Sequence, residues 1–132
     1  MRLCANVPTQ FAIQSALGGK QSIVDLVNGD GRLNKQRLLA HEMINATPGL
    51  STTLPKGALY CFVKIDTERF NIMDDEQFIL DLLIEKHILL VHGTAFNWPE
   101  PNHFRLVYLP QIEVLEDALS RLADFLKKYR QS

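Results

Sequence analysis

The chain has 132 residues, 46% of them hydrophobic and 22% charged, the usage of one folded domain and not of a disordered or fibrous chain. Fourteen Lys and Arg against fifteen Asp and Glu leave a net charge of −1, so no basic excess favours nucleic-acid binding. The densest apolar stretch, Phe78 to Val91, is broken by Asp81, Glu85, Lys86 and His87, and a membrane span needs about 20 mostly apolar residues. Met1 to Pro8 lack the apolar core of a secretory signal, and the two cysteines, Cys4 and Cys61, have neither a redox nor a zinc spacing. The expectation is a cytoplasmic protein with reduced thiols and no membrane partner.

Pro8 to Leu17 is predicted as a helix, with Phe11, Ala12, Ser15 and Ala16 on one face and Gly18-Gly19 as its stop. A short helix follows from Gln21 to Val27, and Asn28-Gly29-Asp30-Gly31 breaks the chain. Arg32 to Ala46 returns to helical period through Ala40, Met43 and Ile44, flanked by Leu33 and Leu39. The period then changes. Leu50 to Leu54 and Ala58 to Ile65 are predicted strands, joined by Pro55-Lys56-Gly57 and short enough in their connection to pair antiparallel. Asp74 to Lys86 is an amphipathic helix with Asp74 as N-cap, Gln77 three residues on, and Phe78, Ile79, Leu82 and Leu83 inward. Ile88 to Val91 and Phe104 to Leu109 are strands around a loop with two prolines. Glu113 to Tyr129 closes the chain as a helix whose acids come first and bases last, as the macrodipole favours. Strands and helices do not alternate regularly, so the expected fold is α+β: a small antiparallel or mixed sheet with helices packed on one face.

Few motifs survive scrutiny. Asn28-Gly29-Asp30-Gly31 fails as a calcium loop because Arg32 interrupts the oxygen ligands and Leu39 stands where a bidentate Glu is needed. It also fails as a dinucleotide fingerprint, since Asn34 replaces the third glycine and no strand precedes it. His87 and His92 bracket a predicted strand on opposite faces, His41 is alone on a helix and His103 lies in a loop, so no metal site is expected. Arg105 stands out. Alternation along Phe104 to Leu109 puts it on a face with Val107 and Leu109, where a guanidinium either meets a carboxylate or phosphate or reaches solvent at the strand end.

Three segments, in order, carry a resemblance: Pro55-Lys56-Gly57-Ala58-Leu59-Tyr60-Cys61-Phe62, Val91-His92-Gly93-Thr94-Ala95-Phe96-Asn97-Trp98, and Phe104-Arg105-Leu106. The set resembles the C-terminal region of class I pyridoxal-phosphate-dependent aminotransferases of fold type I. Leu3-Cys4-Ala5-Asn6-Val7-Pro8 and Gly93 to Trp98 are most similar to the bacterial alanine (glutamate–pyruvate) transaminase branch. The resemblance implies that residues 1–31 are the tail of a large domain with its linker and that residues 32–132 are the C-terminal small domain. It implies a homodimeric enzyme that takes pyridoxal 5'-phosphate as cofactor and amino acids and 2-oxo acids as substrates. The family's cofactor lysine lies in a Ser-x-Ser-Lys context that none of Lys20, Lys35, Lys56, Lys64, Lys86, Lys127 and Lys128 has. This chain accordingly looks like a C-terminal fragment, with no catalytic or cofactor-binding residue expected in it.

One functional residue carries over by position. The arginine of the Phe-Arg-Leu element binds the substrate α-carboxylate, which places that role on Arg105. A planar, two-point grip fixes the torsion of the substrate better than an ammonium could, and it serves amino acid and oxo acid alike. The loop Gly93 to Trp98 would flank the same pocket, with His92 where many relatives have proline, and Tyr60 and Phe96 are expected as packing aromatics. Two other readings fit the residues: a free-standing α+β module that holds a small carboxylate, and an interaction domain docking through Pro8 to Leu17.

Overall fold

The computed structural model of the chain describes residues 6–19 and 21–132; Cys4, Lys20 and the Leu3 to Ala5 part of the N-terminal motif lie outside the described residues. The chain divides into two compact units, Met1–Asn34 and Lys35–Ser132.

The first unit holds helix α1 (Val7–Gly18) and helix α2 (Ser22–Val27), the two helices predicted. Asn6 caps α1 by accepting the Thr9 N–H, and Pro8 sits in the first turn, where a missing N–H costs nothing. Neither helix buries a residue, and Phe11 and Leu17 are 83% and 78% exposed. A helix of this length without tertiary packing is marginal in water.

The second unit is built on a four-stranded antiparallel sheet in the order β1-β2-β4-β3, from β1 (Leu50–Ser51), β2 (Tyr60–Ile65), β3 (Val91–His92) and β4 (His103–Val107). Its helices are α3 (Arg32–Ala46, which begins at the unit boundary), α4 (Thr67–Phe70), α5 (Asp75–Lys86) and α6 (Ile112–Leu126). Alternation decides the layers. Cys61, Val63 and Ile65 of β2 and Phe104 and Leu106 of β4 are buried in one core with Ala40 and Ile44 of α3, Phe78 and Leu82 of α5, and Leu119, Leu122 and Phe125 of α6. Their neighbours Tyr60, Phe62, Lys64, His103, Arg105 and Val107 form the other face, on the side away from the core shared with α3, α5 and α6. The α+β sheet with helices on one face is the architecture expected from the sequence.

Several boundaries move, each for a local reason. β1 stops at Ser51 because the side chain of Asn45 takes both backbone groups of Thr52, at 3.1 Å each. β2 begins only at Tyr60, since Ala58 turns into the left-handed region (φ 62°). β4 ends at Val107, opposite Tyr60, where its partner begins. Ile88 to Leu90 stay outside the ladder, although Ile88 and Leu90 are buried. His87 is not a strand neighbour at all: it caps α5 in the left-handed region (φ 56°), its N–H donating to the Leu83 carbonyl. The sequence pattern missed α4, which Asp66 caps through the Arg69 N–H and which buries Phe70 against Gly49. A Cβ at Gly49 (φ 91°) would come within 2.5 Å of the Phe70 ring, so only glycine fits there.

Capping and a C-terminal clasp fix α5. Asp74 accepts the N–H groups of Glu76 and Gln77 at 2.9 and 3.0 Å. Gln131, buried next to the C-terminal residue, accepts the Met73 and Asp74 N–H groups at 2.6 and 3.0 Å and donates to the Asp74 carbonyl at 2.7 Å. Its backbone pairs with Phe70 and the Asn71 side chain.

Burial of this kind sets two expected outcomes. In Gln131→Ala, loss of the clasp leaves the Met73 and Asp74 backbone groups short of partners, and urea unfolding should show a loss of about 1–3 kcal/mol; a change within error would reduce the clasp to an end that merely lies on the surface. Hydrogen exchange should find residues 8–27 far less protected than Tyr60–Ile65, or protected only as protein concentration rises. Strong protection in a dilute monomer would show that α1 and α2 are stable without burial.

Candidate carboxylate-binding site on the open sheet face

Arg105 sits at the centre of the uncovered face. Its register places it opposite Phe62 on β2 and opposite Val91 on β3, so it projects from an interior strand of the sheet. Its guanidinium carbon lies 5.6 Å from the ring centre of Tyr60 and 4.8 Å from that of Phe96. Aromatic faces stabilise a cation without consuming any of its N–H donors. Among the described residues Arg105 has no carboxylate partner, and its Nε is buried without a hydrogen bond. A buried N–H left unpaired costs free energy that an incoming acceptor recovers. The arrangement is a charge held in place with its donors free.

The sequence expected Tyr60 and Phe96 to be packing aromatics; the structure places both at the guanidinium, 46% and 45% exposed. Tyr60 is there because the strand period points it to the open side. Phe96 is there because Gly93–Phe96 forms a 3-10 helix, absent from the predicted elements, that folds the loop back over β4. The Gly93 to Trp98 loop therefore does flank Arg105, as expected.

Behind this contact lies an aromatic cluster that the sequence reading did not assemble. Phe62 stacks on His103 (4.9 Å, 14°) and meets Trp98 and Phe96 edge-on at 5.4 and 6.2 Å. Trp98 Nε1 donates to Asn102 Oδ1 at 2.9 Å, which ties the proline-bounded segment to the start of β4. His103, expected in a loop, is the first residue of that strand. Burial among the rings holds its imidazole below the ordinary histidine range, the Lys64 ammonium adds to that, and Glu100 opposes it. Phe62 and Trp98 were visible as residue types, but only the β2–β4 register together with the Trp98–Asn102 hydrogen bond brings them together.

The other predicted features resolve simply. Cys61 is a free, buried thiol whose pKa burial pushes up to about 11, so it is a core residue and no nucleophile. Among the described residues no group of three or more His, Cys, Asp or Glu could hold a metal ion, and no helix is long and apolar enough to cross a membrane.

Two acids open α5, and the second was missed. Asp75 turns inward and accepts the Thr94 N–H and hydroxyl at 2.9 and 2.8 Å. Asp74 was legible as the cap and is the cap; that its neighbour Asp75 reaches the loop was not legible.

Comparison with known proteins gives this geometry a family. The model for aminotransferase class I and II matches residues 2–122. The chain is similar to the glutamate-pyruvate aminotransferase AlaA of Escherichia coli, 56% identical over 131 residues, which is 99% of this chain and 32% of the relative. It is 55% identical to the alanine aminotransferase of Mycobacterium tuberculosis over 99% of this chain and 30% of the relative. A crystal structure of an aminotransferase from Escherichia coli superposes on 100% of the chain and 33% of its own, with a TM-score of 0.90. The chain thus spans about a third of the length of the relatives it matches. A family match over nearly the whole sequence, together with the same small-sheet fold, means that this chain belongs to the class I and II aminotransferases.

Proposed function

We propose that the chain is the C-terminal part of an aminotransferase that moves an amino group between alanine and a 2-oxo acid, 2-oxoglutarate or pyruvate. Residues 1–31 are read as the tail of a large domain and residues 32–132 as the small domain. The whole enzyme is read as a cytoplasmic homodimer. The observation that carries this is the Arg105 guanidinium, flanked by two ring faces, with a buried Nε that makes no hydrogen bond within the described residues. The relatives at 56% and 55% identity, a glutamate-pyruvate aminotransferase and an alanine aminotransferase, support alanine and glutamate–pyruvate as the substrate class.

Arg105 grips the α-carboxylate. Two parallel N–H···O contacts hold the carboxylate in the guanidinium plane, which fixes the orientation of the Cα substituents. Tyr60 and Phe96 keep the side chain from rotating away and make the surroundings less polar, so each charge-assisted bond counts for more. The α-carboxylate is common to alanine, glutamate and their oxo acids, so one arginine serves both halves of the exchange.

Pyridoxal 5'-phosphate, the cofactor this family implies, needs a lysine for its aldehyde and a cluster of donors for its phosphate. The described side chains around Arg105 are Tyr60, Phe62, Val91, Phe96 and Val107, which offer neither. These residues fit a substrate carboxylate and do not fit the cofactor, whose anchor is read as belonging to the rest of the enzyme.

Replacing the matching third of the Escherichia coli glutamate-pyruvate aminotransferase with this chain gives an enzyme in which the reading can be tested. In it, Arg105→Lys keeps the charge and loses the planar fork. Single-turnover rates should fall by about 2–5 kcal/mol of transition-state stabilisation, equally for alanine and glutamate, with cofactor affinity unchanged. Near-normal rates, or a loss confined to glutamate, would remove Arg105 from the carboxylate grip. The 132-residue chain alone, mixed with pyridoxal phosphate and reduced with borohydride, should show no stoichiometric label on a single lysine. Such a label, with turnover, would make the chain a self-sufficient catalyst.

A further inference from the structure

Phe96 reaches Arg105 only because the 3-10 helix Gly93–Phe96 is held down, and the structure shows what holds it. On one side Gly93 lies so close to β4 that a Cβ would come within 2.6 Å of the His103 carbonyl. On the other side Thr94 is tied to α5. Both carboxylate oxygens of Asp75 are spent on this one residue, Oδ2 on the N–H and Oδ1 on the hydroxyl. The Asp75 side chain is 5% exposed, whereas Thr94 lies at the surface. The Thr94 hydroxyl proton goes to the carboxylate, so the hydroxyl is left to accept from His92 Nδ1, 2.9 Å away. His92 Nδ1 is also 3.9 Å from Asp75 Oδ1. Asn97 then ends the helix in the left-handed region (φ 58°), its N–H donating to the Thr94 carbonyl. Thr94 is thus the anchor point of the whole turn.

We propose that Asp75 is a positioning residue for the Arg105 site: by pinning Thr94 it fixes the turn that presents Phe96 to the guanidinium. That the site is a substrate carboxylate grip rests on the reading given above; the pinning stands on the contacts alone. The acid need not touch substrate. Its work is to remove the freedom of an exposed loop, and with it the freedom of the arginine that the loop backs.

The side-chain proton shifts of Arg105 in the 132-residue chain report the Phe96 contact directly, because a ring face 4.8 Å away displaces them upfield. Phe96→Leu sets the size of that displacement. Asp75→Asn and Thr94→Val should each remove most of it, Thr94→Ser should retain it, and the amide shifts of Val63 and Phe104 in the core should stay in place. Thr94 is exposed, so Thr94→Val decides the matter if Asp75→Asn fails to fold. Arg105 shifts that stay at the wild-type value in Thr94→Val, while Phe96→Leu moves them, would overturn the proposal; so would a Phe96→Leu variant that moves nothing. In the chimeric enzyme Thr94→Val should raise KM for alanine and glutamate together by about tenfold, within the hundredfold that a 1 Å misplacement can cost, with a smaller change in kcat. An unchanged KM beside a lost ring displacement would count against a role in substrate binding. Failure of Arg105→Lys to impair the enzyme would overturn the carboxylate reading and leave the pinning intact, so the two ideas fall separately.

Discussion

The placement of Phe62 opposite Arg105 in the β2–β4 pair governs the rest of this structure, because strand side chains alternate with a period of two. With that register Val63, Ile65, Phe104 and Leu106 enter the helical core, and Tyr60, Phe62, His103 and Arg105 line the open face. A slip of one residue would bury the guanidinium among the apolar residues of α5 and α6 and turn Phe104 to solvent. The core therefore protects the register, and the register places the site. The packing of the core and the exposure of Arg105 rest on the same hydrogen-bonded ladder.

On the open face, charge and apolar surface solve each other's problem. An uncovered face bearing Phe62, Phe96 and Trp98 would be a liability by itself, and a guanidinium over aliphatic side chains would lack a counter-charge. Together the rings supply the cation with quadrupole stabilisation, and the cation keeps the ring surface wet enough to accept an ion. A carboxylate pairing with Arg105 elsewhere in the chain would have spent the donors in advance. Among the described residues its Nε is buried without a hydrogen bond, so that donor is not spent on a partner within the chain.

The surrounding elements form a chain of restraint that runs to the C-terminus. Gln131 grips the backbone ahead of α5, Asp74 caps that helix, Asp75 reaches from its first turn to Thr94, and Thr94 holds the turn bearing Phe96. Each link is a hydrogen bond to a backbone group or a single hydroxyl, worth little alone. Their effect is to hold a surface loop at a defined distance from an interior strand. Precision at the site is thus drawn from rigid elements and not from the loop's own packing.

Local chemistry was sufficient for five of the helices, though not for α4 or the 3-10 turn: Pro8 in the first turn of α1, the cap at Asp74, the breaker at Gly18-Gly19, and the apolar spacing of α3, α5 and α6 all depend on neighbours within a few residues. The same holds for the one-sided sheet, since alternation in β2 and β4 is a property of consecutive residues, and for the three motifs that named the family and singled out Arg105. What tertiary structure alone decided were the events between distant segments. Ala58 leaving the strand region, Asn45 ending β1, Tyr60 and Phe96 meeting one guanidinium, Asp75 turning to Thr94 and Gln131 closing on Asp74 all require contacts across 7 to 57 positions, or a backbone twist no pattern signals. A period of 3.6 or 2 states which way a side chain faces. It does not state which other side chain is waiting there, because that depends on the register and closure of segments that become neighbours only after the chain has folded.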